Sequence, residues 1–289
     1  MNDFEDAQNI DGGEDGGMMP SVPPQLEALQ KRVMMLQRLA ALPNAAEAIE
    51  ETKLHGIGRK AVREYQIDKD SRNDWETRAR KAMEIARQVT TGKSFPWDGA
   101  SNVKYPLLTT AALQFAARAY PAMIDGARVV KVQVLGSDPD GSKAAAADRV
   151  SQHMSHQLLN ETDWESDVDT MLHMLPVVGC AFKKVYPDSS KESGFGDDLV
   201  SAFDLVVNQR AKSLSTVPRV THLFQLYPHE IDERKRAGSF LDIDLKGEST
   251  DGDDDDAPHM FLEQHRFLDI DDDGVLEPWI VTVHERTEK

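Results

Sequence analysis

Cysteine is nearly absent from this sequence: Cys180 is the only one in 289 residues. That excludes an internal disulfide and any zinc cage built on cysteines. Long apolar runs are missing as well, and nowhere do about 18 apolar residues follow one another, as a membrane-spanning helix would require. The N-terminus, Met1-Asn-Asp-Phe-Glu-Asp6, is acidic where a secretory signal would be basic. The expectation is a chain that works inside a cell, or in a particle assembled there, without a membrane partner. Nucleotide-binding signatures are also lacking. There is no GxxxxGK[ST] loop, no GxGxxG turn and no GxSxG elbow, and Gly56-Ile-Gly58 follows a helical pattern where a nucleotide fold needs a strand.

Basic residues are scarce relative to acids, 33 against 50, for a net charge of −17. The excess is uneven. Residues 1–17 carry six acids and no base, and residues 241–256 carry eight acids against Lys246 alone. Between residues 25 and 100 there are 14 bases and 11 acids, close to balance. The folded body is therefore only mildly acidic. Tight binding to nucleic acid needs clustered bases that displace counterions from phosphates, and no such cluster is present. Even the helix carrying Arg78, Arg80, Lys81 and Arg87 interleaves Asp74, Glu76 and Glu84, which reads as a solvated mixed-charge face.

What is present falls into five stretches. Residues 1–24 are rich in Gly, Asp, Glu and Pro and read as a disordered acidic arm. Residues 25–125 read as helical. Leu26, Leu29, Val33, Leu36 and Ala40 form one apolar seam, for a core helix or for helix–helix assembly. Asn44 with Glu47 caps a second helix that Gly56 and Gly58 end, and a third piece spans residues 59–67. Ser71 caps a helix with Trp75, Ala79, Ala82, Ala86 and Val89 on one face. An apolar helix over Leu107–Tyr120 is broken by Pro121.

Residues 126–240 read as α+β. Val130, Val132 and Val134 alternate with polar residues like a half-buried strand. A helix from Ser142 lines up Ala147, Val150, Met154 and Leu158, and another capped by Asp163 is stopped by Pro176. Strands follow at Cys180–Tyr186, Leu199–Val207 and Arg219–Leu226, then a short helix between Pro228 and Gly238. Residues 241–258 form an acidic loop, and residues 259–289 a β-hairpin around Asp271-Asp-Asp-Gly274. Helical first half, strand-rich second half: the class is α+β. The chain stops a few residues after a strand, which suggests the front part of a longer protein.

Three sets of residues have the types that chemistry could use. Asp269-Ile-Asp-Asp-Asp-Gly274 opens like a calcium loop, but the twelfth position is Ile280, which cannot supply the closing carboxylate. A hairpin turn with Gly274 at positive φ accounts for the residues without a metal. His153 and His156 stand one helical turn apart, and His173 is on the next helix. With Asp167 or Asp169 they could serve a metal-dependent hydrolase, but no HExxH or second-shell pattern accompanies them, and they read as partly buried structural histidines. Cys180 reads as a small buried hydrophobe. No catalytic residue, metal site or cofactor is expected.

The segment from Lys93 to Pro106, KSFPWDGASNVKYP, is the unusual one. Phe95 and Trp97 bracket Pro96, while Asp98-Gly99 and Ser101-Asn102 favour tight turns. Burial of an aromatic side chain is worth about 1.5–3 kcal/mol. Phe95, Trp97 and Tyr105 should therefore be packed, either as a corner within the domain or against a neighbouring subunit.

Phe95-Pro-Trp-Asp-Gly-Ala-Ser-Asn-Val-Lys-Tyr-Pro-Leu-Leu108, followed by Phe115-Ala-Ala-Arg-Ala-Tyr-Pro121, resembles the signature of portal proteins from tailed bacteriophages. Arg149-Val150, His153-Met154, Trp164, Leu175–Tyr186, Arg219–His222 and the hairpin Glu263–Glu285 continue in that family's order, so the likeness spans about residues 70–289. It makes Phe95, Pro96, Trp97, Gly99, Ser101, Asn102, Tyr105, Phe115, Arg118 and Tyr120 the candidate motif and subunit-packing residues.

The resemblance implies a structural subunit of a dodecameric ring at one capsid vertex, and no enzyme. Its partners would be further copies of itself, the terminase motor, the major capsid and scaffolding proteins and the tail adaptor, with DNA passing through a channel without specific binding. It would be found in the virion, and in the host cytoplasm during assembly. The present chain would correspond to the wing region, with stem helices, tunnel loop and crown lying beyond residue 289. A scaffold or head-completion factor is the alternative within the virion, although scaffolds favour long helices over a β-rich half.

Overall fold

The computed structural model describes residues 24–89, 92–188, 191, 193–245, 254 and 256–289. The acidic arm up to residue 23 and the acidic run at 246–253 lie outside them. The class is α+β: six α-helices precede the first strand, and a seventh sits among the strands of the second half.

Helix α1 spans Pro24–Ala40. The expected seam is not packed within the chain, because Leu26, Leu29 and Val33 are exposed. Contact comes from the last turns, where Met35 and buried Leu39 meet Leu268 and Ile270. Asn44 does act as a cap, accepting from the Ala46 N–H at 3.0 Å, but only for a 3-10 turn over Ala45–Ala48.

Helix α2 runs unbroken over Glu51–Ser71, through both glycines that were expected to end it. The cost of glycine in a helix, about 1 kcal/mol, is overridden by packing. A Cβ on Gly58 would lie 2.1 Å from the carbonyl oxygen of Glu288, so only glycine lets the C-terminal turn approach. Gly58, Ala61, Val62, Tyr65 and Asp68 form the buried stripe, at the three-and-four spacing of one helix face.

That stripe lies on a four-stranded antiparallel sheet in the order β3-β4-β5-β6 (Leu205–Val206, Arg219–Leu226, His259–Leu268, Glu277–His284). Ala61, Val62 and Tyr65 meet Val206, Leu262 and Val283 in the central core. Alternation along β5 sends Phe261 to the other face, where it packs with Leu226 and with Ile231 of α7 (Pro228–Arg236). The sheet is thus sandwiched between α2 and α7.

Helix α3 (Asn73–Ala86) follows α2 without a loop. Ser71 is not its cap, since its hydroxyl donates back to the Asp68 carbonyl at 2.7 Å. Of the expected face, Trp75 and Ala79 pack on Val178, Ala202 and Phe203 together with Met83, while Val89 is exposed. Helices α4 (Leu107–Met123) and α6 (Trp164–Val178) pair through Ala116, Val168 and Leu172. Neither proline stops its helix where expected. Pro121 and Pro176 both sit in the final turn, which each helix completes, and α6 ends at Gly179 with φ +91°.

Two further expectations fail. Val130–Val134 is not a strand: Val130 is tied instead to α5 (Ser142–His156), its N–H donating to Ser155 Oγ at 3.1 Å and its carbonyl accepting from Ser151. Those serines are the buried residues of α5, while Val150 and Met154 are exposed, so the apolar period misplaced the inward face. The expected strand Leu199–Val207 is in fact two. β2 (Phe195–Val200) pairs with β1 (Phe182–Pro187), and β3 joins the other sheet.

The corner between β2 and β3 is fixed by one residue. Arg72, at the junction of α2 and α3, donates to the carbonyls of Ala202 (3.1 Å), Phe203 (2.8 Å) and Leu205 (2.7 Å). Its Nε and Nη2 also grip Glu76 Oε1 at 3.1 and 2.7 Å. A second buried pair joins α2 to β4, where Asp68 accepts from Arg219 Nε (2.7 Å) and Nη2 (2.8 Å) and from Asn208 Nδ2 (2.8 Å).

Candidate interaction surface

Between α3 and α4 the chain makes the aromatic corner, and its ends are well anchored. Thr109 Oγ1 donates to the Ala86 carbonyl at 2.6 Å, joining the start of α4 to the end of α3. Gly99 takes φ +76°, which the Asp98-Gly99 turn requires, and the Ala100 N–H closes that turn onto the Trp97 carbonyl at 3.1 Å. Ala100 is buried, and the Phe95–Pro96 peptide is cis.

The large side chains point the other way. Phe95 is 79% exposed, Trp97 66%, Val103 92%, Tyr105 82% and Leu107 68%. The first sequence alternative, a corner packed within the domain, is therefore corrected: the backbone is held while the aromatics stand in solvent. Pro96 and Ser101 are exposed with them, and Asn102 is half-buried.

The surface continues along α4. This apolar helix buries only Ala112 and Ala116, and the small side chain of Ala116 meets Val168 and Leu172 of α6. Leu113 and Phe115 remain exposed, as does Arg118. Tyr120 turns inward to the α6 contact, and its hydroxyl donates to Glu165, which pushes the phenol's pKa up. Of the ten candidates, then, the corner residues with Phe115 and Arg118 lie on the exposed side of one stretch, and Tyr120 belongs to packing.

The chemical alternatives are not assembled. His153 and His156 are exposed on α5, not partly buried as expected. His156 Nδ1 lies 3.2 Å from Glu161, while His173 Nδ1 lies 2.8 Å from the Asp169 carbonyl of its own helix. Among the described residues the three histidines do not form a common set of metal ligands; the only such set is Asp269, Asp271 and Asp273. Cys180 is half-buried against Ala79 and Ala202, and burial pushes its thiol pKa up, away from nucleophilic use.

No family model and no curated protein matches this chain.

Among the described residues no helix is long and apolar enough to cross a membrane. Contiguous apolar patches on a monomer usually mark a place where something else binds. The sequence located this segment by its aromatics, but only tertiary structure could tell which way they face.

Proposed function

We propose that the chain is a structural subunit of a tailed-phage portal ring, supplying its wing region, with the corner Phe95–Leu107 as a subunit contact. The observation that carries this reading is the combination of an anchored backbone and outward aromatics at the segment that resembles the portal signature. A loop made to pack on its own domain would turn Phe95 and Trp97 inward. One made to meet a neighbour keeps them out, with its shape set in advance.

Magnitudes set the scale of that contact. Covering Phe95, Trp97, Val103, Tyr105 and Leu107 would release about 1.5–3 kcal/mol each. Association costs on the order of 4–15 kcal/mol in lost freedom. The corner alone roughly balances that cost, so it serves as an anchor within a larger contact. A ring subunit meets this condition, because every copy has two neighbours, giving the corner to one and receiving the other's corner on a different surface. The α+β architecture agrees with the wing region, and the mixed charge of α3 suits a wall past which DNA moves without being held. In this reading terminase, capsid, scaffold and tail proteins are the partners, and the virion is the destination.

The test uses the protein expressed from its full reading frame. Light scattering and negative-stain microscopy should find closed rings. The variant carrying Phe95→Ala, Trp97→Ala and Tyr105→Ala should give free subunits with an unchanged melting temperature. A wild-type product that stays monomeric at tens of micromolar, or a triple variant that still forms rings, would overturn the proposal.

A further inference from the structure

The turn between β5 and β6 contains carboxylate oxygens that the fold does not satisfy. Asp269 opens the turn as a backbone cap, Oδ1 accepting from the Asp273 N–H at 3.1 Å and Oδ2 from the Gly274 N–H at 2.8 Å. Asp273 Oδ1 accepts from the Val275 N–H at 2.8 Å, and Gly274 takes φ +84°. A plain hairpin turn accounts for all of this. It does not account for Asp271 and Glu277. Asp271 Oδ1 and Glu277 Oε2 are buried and have no hydrogen-bond partner among the described residues. The Glu277 side chain is only 9% exposed. An orphaned carboxylate oxygen out of reach of water is costly.

Glu277 is held beside the turn by Arg32 of α1, whose Nη2 donates to Glu277 Oε1 at 3.0 Å while its Nε pairs with Asp273 Oδ2 at 3.2 Å. Lys53 of α2 holds Asp272 Oδ2 at 2.7 Å and the Ile270 carbonyl at 2.8 Å. Five carboxylates (Asp269, Asp271, Asp272, Asp273, Glu277) thus face two cations (Arg32, Lys53), a local balance of −3. One oxygen from each of Asp269, Asp271 and Asp273 lies within 4.8 Å of the others. Oxygens around calcium sit at about 2.3–2.6 Å, so opposite ligands are separated by nearly that span.

We infer that Asp269, Asp271 and Asp273 bind a divalent cation of calcium's size, with Glu277 as the further carboxylate that the twelfth position of the turn does not provide. The order of residues hides this, because Glu277 stands at the ninth position and at the first residue of β6. Only the fold places it against the turn. Calcium suits the site better than magnesium, since the donors are all carboxylate oxygens, and magnesium demands a tighter octahedron and keeps its waters. Bound there, the ion would tie the β5–β6 turn to α1 and α2 through Arg32 and Lys53.

Calorimetric titration of the full chain, stripped with EDTA and dialysed, tests the site with calcium chloride and separately with magnesium chloride. One calcium per chain is expected, with a Kd on the order of 10⁻⁵–10⁻⁴ M and weaker magnesium binding. Asp271→Asn and Glu277→Gln should each weaken it by about tenfold or more. Asp254→Asn/Asp255→Asn/Asp256→Asn, which neutralises the separate acidic run, should leave it unchanged. Should Glu277→Gln fail to fold, Asp271→Asn decides, since it alters a turn residue outside the core. No saturable binding up to about 10 mM calcium, or binding lost in the acidic-run variant and kept in Asp271→Asn, would overturn the inference.

Discussion

Replacing Arg72 by lysine should cost far more than a conservative change on a surface. Arg72 is 6% exposed, and its guanidinium makes five hydrogen bonds to four acceptors: Glu76 Oε1 and the carbonyls of Ala202, Phe203 and Leu205. A planar fork reaches these diverging acceptors at once, whereas an ammonium offers three N–H groups from a single point. At least one acceptor would be left unsatisfied, and a hydrogen bond to a charged group is worth about 1.5–3 kcal/mol. Arg72→Lys should therefore lose about 2–3 kcal/mol. Arg72→Ala should lose about 3–5 kcal/mol, because the Glu76 carboxylate is then buried with only Arg80 nearby, at 3.6 Å. Urea denaturation followed by tryptophan fluorescence would measure both, since Trp75 lies under the guanidinium, 5.2 Å from ring centre to Cζ. A midpoint for Arg72→Lys equivalent to less than about 0.5 kcal/mol of change would refute the claim that this residue fixes the β2–β3 corner.

Two other outcomes follow from particular contacts. Gly58→Ala places a methyl 2.1 Å from the Glu288 carbonyl, which is backbone and cannot rotate away, so a loss of about 1–3 kcal/mol is expected despite alanine's better helix propensity; equal or higher stability in thermal melts would contradict the packing. Glu263 is partly buried, which opposes its ionisation, but hydrogen bonds from His265 and Lys184 outweigh that and hold the carboxyl down to about 2, against an ordinary 4.5. A depressed acid stabilises the fold fully above its unfolded value and loses that contribution as pH falls from 4.5 to about 2. Glu263→Gln should flatten the loss of stability across that window by about 1–2 kcal/mol once solvent screening is allowed for, and acid melts that superimpose on wild type would exclude the linkage.

Local chemistry was readable directly from the chain. The strands at Arg219–Leu226 and His259–Leu268 have the bounds that alternation and β-branching assign, and α7 lies between its proline and its glycine as expected. Gly274 takes the positive φ that a tight turn requires. These features depend on neighbours in sequence, where propensity, capping and turn chemistry act. The candidate corner was also found from sequence, because Phe, Trp and Tyr crowded around Pro96 and Gly99 are conspicuous wherever they point.

Tertiary structure decided everything that depends on distant partners. Gly58 does not end a helix, because a segment more than two hundred positions away packs where its side chain would be. The face of α5 is set by two serines that hold the Val130 backbone, a hydrogen-bonding demand that hydrophobic periodicity does not register. Nothing in the neighbouring sequence marks Arg72, Asp68 and Arg219 as the joints of the fold, which surrounds them with acceptors and counter-ions. Glu277 similarly comes beside the turn only through the fold, where Arg32 bridges it to Asp273. The aromatic corner illustrates both halves of this division. Its composition makes exposure of Phe95 and Trp97 costly, and the packing of α4 on α6 through alanines leaves both exposed in the described chain.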